Sequence, residues 1–204
     1  MKKKLIAAAI ATSFSMPTMA DFLGLYAGLD YRSNETSLSG SSDEDSTSNV
    51  AGYVTFEHFI PLVPNVKLKY ADLSFDDSDS IDSSSMNGIL YYELFDNGLF
   101  EFDLGAAYSD IESDNDSANL AQLYAAGKVH IPGTGVHAFA EGIAGSFTDD
   151  DALDTEVGLA YTFSPIPLVL DMSLRAGYRL QELEFKGQPK QTTDGLFAGL
   201  EIHF

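Results

Sequence analysis

Three groups of side chains in this chain are of a type and spacing that could do chemistry. His58, His130, His137 and His203 are the natural general bases, and a hydrolase would need one of them beside a nucleophile and an orienting group. Acidic runs form the second group: Asp76-Asp77-Ser78-Asp79-Ser80-Ile81-Asp82, Asp110-Ile111-Glu112-Ser113-Asp114-Asn115-Asp116 and Asp149-Asp150-Asp151. Their oxygens could hold Ca2+ or Mg2+ loosely. The second run alternates acids as a calcium loop does, but it lacks the mid-loop glycine and the closing bidentate glutamate, so it fails as an EF-hand. Solvated acidic loops are the simpler reading, and no cofactor is expected beyond such loose cations. Third, Arg175 and Arg179 lie four apart with Asp171 four before the first. On a strand all three share a face and could build an ion-pair network.

What must position these groups follows from composition and pattern. The chain has 204 residues, 11 basic against 31 acidic, and a formal charge of −20. Nucleic acid is excluded as a partner, because phosphate binding needs clustered Lys and Arg. Cysteine is absent, so disulfides and thiol chemistry are excluded as well. Lys2, Lys3 and Lys4, the apolar stretch from Leu5 to Met16 and the small-residue site Thr18-Met19-Ala20 have the order of a secretory signal. Residues 1–20 are therefore expected to be cleaved, leaving 21–204 as one domain. Removing three lysines leaves 8 bases and 31 acids, a charge of −23.

From Asp21 onward, runs of about ten residues alternate apolar and polar. Phe100, Phe102, Leu104, Ala106 and Tyr108 oppose Glu101, Asp103, Gly105 and Ala107, a period of two that dictates strand. Ten such runs occur, roughly 22–33, 49–59, 66–75, 85–95, 99–109, 119–131, 136–147, 154–164, 168–183 and 193–204. Their connections alternate in kind. Short gaps of turn residues, such as Asp96-Asn97-Gly98 and Pro132-Gly133-Thr134-Gly135, take turns with long polar ones, such as Asn34 to Ser48, Asp110 to Ala118 and Glu182 to Thr193. Short turns at one end and long loops at the other, on an even number of strands, predict a ten-stranded antiparallel transmembrane barrel with periplasmic turns and outer loops. An eight-stranded barrel would demote two runs to loops. A soluble ligand-binding barrel would invert the two faces and fill a narrow lumen with Leu and Phe.

Charge decides which face sees lipid. Glu57, Glu93, Glu101, Asp103, Gln122, Lys128, Glu156, Asp171, Arg175, Arg179 and Glu201 must face the lumen, since a base in mid-bilayer costs about 2–4 kcal/mol. Tyr31, Tyr70, Tyr92, Tyr108, Tyr161 and Tyr178 then fit interfacial girdles. In the run 136–147, Glu141 shares its parity with Phe139, Ile143 and Phe147. Either the lumen accepts aromatics there or a bulge shifts the register. The lumen is expected to hold an ionic network of Arg175, Arg179, Asp171, Glu156, Glu201, Glu101, Asp103 and Lys128. Arg175→Ala should destabilise the barrel, whereas Arg32, near a loop, should hardly matter.

The chain ends on Leu200, Ile202 and Phe204, alternating to a terminal phenylalanine with Gly199 five positions before the end. This resembles the signal that bacterial outer-membrane barrels present to their assembly machinery, with Phe197 where a polar residue is usual. The start Asp21-Phe22-Leu23-Gly24-Leu25-Tyr26-Ala27-Gly28 and the segment Phe56-Glu57-His58-Phe59-Ile60-Pro61-Leu62-Val63-Pro64-Asn65-Val66-Lys67-Leu68 resemble a little-characterised family of small outer-membrane β-barrels of Gram-negative bacteria. That resemblance implies the cell outer membrane as location and implies no catalytic residues. Outer-membrane lipid, lipopolysaccharide and the assembly machinery are the expected partners, with the oligomeric state open.

The expected function is therefore a structural or surface-interaction barrel displaying acidic loops, and not an enzyme. A small channel is the alternative, cation-leaning because lumen acids outnumber bases. A barrel hydrolase is the third reading, since all four histidines fall near the turn ends of their runs, away from the serine-rich loops.

Overall fold

Alternation of apolar and polar residues produces strands throughout. The computed structural model describes residues 23–40, 44–60, 62–72, 83–113, 116–145, 150–167, 169–186 and 189–204. The leader at 1–20, the acidic run Asp76 to Asp82 and Asp149 lie outside the described residues. The strands are β1 (Leu23–Leu38), β2 (Glu44–His58), β3 (Asn65–Asp72), β4 (Ser83–Asp96), β5 (Phe100–Ser113), β6 (Asp116–His130), β7 (Val136–Ala144), β8 (Asp151–Ile166), β9 (Leu170–Glu184) and β10 (Gln191–His203). Each pairs antiparallel with its chain neighbours, and β1 pairs with β10, so the sheet closes into a ten-stranded barrel. Ten paired strands exclude the eight-stranded alternative, and the exposed Leu29, Leu123 and Leu196 exclude the inverted one. Closure leaves no edge strand to be protected.

The seam between β1 and β10 aligns Leu29 with Leu200 and Arg32 with Phe197. At its last step Phe204 donates its backbone N–H to the Leu25 carbonyl (3.0 Å), and Leu25 returns the bond (3.3 Å). The terminal phenylalanine thus completes the ladder that shuts the barrel. Short connections tie this end together. In one, Asn97 Oδ1 accepts the N–H groups of Leu99 (3.1 Å) and Phe100 (2.8 Å), a side chain standing in for a ladder partner.

At the other end the strands run further than their alternation implied, which corrects three expected loops. Asn34 pairs with Thr47 inside the proposed 34–48 loop, and Ser113 pairs with Asp116 inside the proposed 110–118 loop. Likewise Glu182 pairs with Thr192 within 182–193. Above Tyr31 and Tyr108 the outward residues turn polar, Ser33 and Glu35 on β1, Asp110 and Glu112 on β5. Backbone pairing continues without needing an apolar face. The alternating acids at 110–112 accordingly sit on a strand, not in a cation loop.

The outer surface of the barrel is apolar. Leu29, Leu104, Leu123, Leu159, Leu174 and Leu196 all point out, and the six tyrosines read as girdles do too, each between 44% and 59% exposed. From Phe100 to Tyr108 the apolar face of β5 spans eight steps, about 26 Å along the strand. Strand β7 keeps an unbroken register with β6 and β8, so no bulge intervenes. His137, Phe139, Glu141 and Ile143 all face inward, and the lumen accepts the aromatic ring.

Candidate functional site in the lumen

The lumen is filled in layers, each supplied by the inward parity of several strands. At the loop end Ile111, Leu120, Ala152 and Leu183 form a buried apolar cap with Phe185 packed on it, and Leu120 is 0% exposed. Beneath the cap Ser109 Oγ meets the side-chain oxygens of Asn87 (2.5 Å) and Gln122 (2.6 Å), and Gln122 donates to the Ala152 carbonyl (2.8 Å). Ile89, Tyr91, Ala107, Tyr124 and Ile143 fill one side of the next level.

Opposite them lies an ionic cluster centred on Glu156 of β8, which is 2% exposed. Arg32 donates to Glu156 Oε1 (2.6 Å), Lys69 approaches the same oxygen (3.3 Å), and Arg175 donates to Oε2 (3.1 Å). Arg179 lies 3.9 Å away and forms a two-pronged pair with Asp154 (2.8 and 3.1 Å), the geometry suited to its planar fork. Lys67 and Lys69 share Glu141, the latter at 2.6 Å. Asp30 stands 3.4 Å from Arg175 Nε. A charge this deep is stable only when such partners replace its lost hydration.

Arg175 also sits among three rings, its guanidinium carbon 4.7 Å from the centre of Phe139, 5.1 Å from Tyr53 and 5.4 Å from Phe197. A cation over ring faces gains most where water is excluded. Tyr53 accepts a hydrogen bond from Arg175 and donates one to Glu201. Its ring lies where a Cβ at position 28 would stand, 2.3 Å from the nearest ring atom, so only glycine fits there. Gly199 plays the same part for Asp30, whose Oδ1 would come 1.9 Å from an added Cβ. The Phe197 that departs from the usual terminal pattern thus packs inward against Arg175, while Leu200, Ile202 and Phe204 follow the outward parity.

The structure places the expected residues unevenly. Arg175, Arg179 and Glu156 come together directly, and Glu201 joins them through Tyr53. Lys128 and Glu101 pair separately at 2.9 Å towards the turn end, with His130 2.5 Å from the same carboxylate. Two expectations are corrected. Asp171 does not reach the arginines; it accepts from Ser164 at the turn-end rim, because the tilt of β9 carries it away from the cluster. Arg32 is not peripheral, since it is 2% exposed and holds Glu156. Its inward parity, opposite to Leu29 and Tyr31, was the signal that would have placed it. Asp30, Asp154 and Tyr53 share the same inward-parity signal and belong to the cluster as well.

No family model matches this chain, and no curated protein does. Among solved structures it is similar to Neisserial surface protein A (18% identity, 88% of this chain and 97% of that one, TM-score 0.41). It is also similar to the outer membrane protease OmpT from Escherichia coli (6% identity, 94% and 99% covered, TM-score 0.47). A third likeness is to Ail, the attachment invasion locus protein of Yersinia pestis, solved with a heparin analogue (14% identity, 89% and 99% covered, TM-score 0.36).

Proposed function

We propose that the chain is an integral barrel of the bacterial outer membrane with a structural or surface-interaction role, its lumen closed to ions. Its apolar exterior supports the location, because a surface carrying this many exposed Leu, Tyr and Phe side chains matches hydrocarbon better than water. Short turns and both chain ends then lie on the periplasmic side, with acidic segments outside facing lipopolysaccharide. Terminal Phe204, closing the seam, is the residue the assembly machinery would read.

The observation that carries the closed reading is the apolar cap of Ile111, Leu120, Ala152 and Leu183 over the ionic layer. An ion entering from outside would have to shed its hydration against four hydrocarbon side chains, at a cost of several kcal/mol. Planar-bilayer recording on the refolded mature chain tests this. Silent membranes are expected, and steps of stable cation-preferring conductance would establish the channel instead. Limited proteolysis of intact cells tests the orientation, with cleavage expected near residues 39–43 and protection at Pro132 to Gly135.

A further inference from the structure

Below the ionic layer, towards the turn end, the lumen keeps a cavity of about 70 Å³. Its lining includes Lys128, His137, Ser173 and Glu201, each within three residues of the turn end of its strand. Lys128 and the neighbouring Glu101 retain 38% and 26% side-chain exposure, so solvent reaches this level from the turn end, whereas the cap closes the opposite direction.

Two lining groups have no hydrogen-bond partner among the described residues. The His137 ring, 8% exposed, lies beside the rings of His130 (5.1 Å) and Phe139 (6.5 Å) and makes no hydrogen bond among the described residues. The Asp103 carboxylate has neither a hydrogen bond nor an ion pair within 4 Å. Asp103 is half-buried and lines the cavity, so whatever fills that space, solvent or solute, supplies its polar contacts. Lys128 spends one contact on Glu101 and keeps donors to spare.

We infer that this pocket binds a small zwitterion of amino-acid size, with its ammonium on Asp103 and its carboxylate on Lys128 and His137. The signs of the walls decide the class. Lys67, Lys128 and Arg175 face Asp103, Glu141 and Glu201 across the same space, so a simple anion meets three carboxylates and a simple cation meets three bases. No three His, Asp or Glu among the described residues are placed to share one metal ion. A ligand carrying both charges satisfies both walls. Size limits it further: at about 10–15 Å³ of such volume per water, the space holds roughly five water-sized groups, the scale of glycine or alanine. The site stands independently of the surface role, since it opens on the opposite side.

The test is saturation-transfer NMR on the refolded mature chain in detergent micelles, with glycine and L-alanine as probes and acetate and putrescine as comparators of one sign each. Transfer to glycine or alanine is expected, together with a shift of the His137 ring protons. Asp103→Asn should weaken binding by about tenfold or more, as loss of a charged hydrogen-bond partner does. Asp171→Asn, at the rim, should bind as wild type. Heat-modifiable gel mobility shows which variants fold, and if Asp103→Asn does not, Lys128→Met at the exposed wall serves instead, again with about tenfold weaker binding. Equal transfer to acetate or putrescine, unchanged binding in the folded variant, or no transfer to either amino acid would overturn the assignment.

Discussion

The two halves of the lumen solve the same packing problem with opposite chemistry. Towards the loops, Ile111, Leu120, Ala152 and Leu183 exclude water as a soluble core does. Towards the turns, Lys67, Glu141, Arg175 and Glu156 fill comparable space with charges whose partners must all be present at once. A dispersed apolar cap tolerates the loss of any one member better than a network in which one carboxylate serves several bases. The comparison teaches that Glu156 and not either arginine of β9 is the hub, because Arg32 on β1, Lys69 on β3 and Arg175 on β9 converge on it and so tie distant strands across the lumen.

Substitutions in the two halves should differ in cost, read as the midpoint of urea unfolding and the temperature at which heat-modifiable gel mobility is lost. Glu156→Ala should have the largest effect, about 3–5 kcal/mol, since several buried bases lose their common partner together. Arg32→Ala and Arg175→Ala should come next and match each other, at about 3 kcal/mol; a silent Arg32→Ala would return that residue to the periphery. Leu120→Ala, in the cap, should cost about 2–3 kcal/mol as a cavity effect. It should also leave the membrane silent if the ionic layer alone blocks ions, and leaky if the cap is the seal. Lys128→Met, half open to solvent, should cost under about 1 kcal/mol and lose even that at high salt. Smallest of all, Asp171→Asn should stay within about 0.5 kcal/mol of wild type.

How much of this was legible depended on which physical constraint wrote the pattern. The face that meets hydrocarbon tolerates no charge, so Tyr31, Leu104 and Tyr178 declared their orientation and, through it, that of Glu156 and Arg175. Beyond the apolar stretch that constraint lapses. Glu35, Asp110 and Glu112 extend paired strands while looking like loop, and so the expected runs stop short of β1, β2, β5 and β6. Ending the first run at position 33 is also what set Arg32 next to a loop instead of deep in the lumen.

Period-two alternation, the alternating gap lengths and the terminal Leu200, Ile202 and Phe204 by themselves determined ten strands, their order and, outside β7, which side chains point inward, because a transmembrane antiparallel barrel must keep charge off its lipid face. Which inward groups touch was decided by the tertiary structure alone. Strand tilt and shear bring residue 32 to residue 156 and Tyr53 between Arg175 and Glu201, while carrying Asp171 away from its own strand-mates. Parity is a property of one strand, whereas contact across the lumen depends on the stagger of all ten, and no local pattern of residues records it.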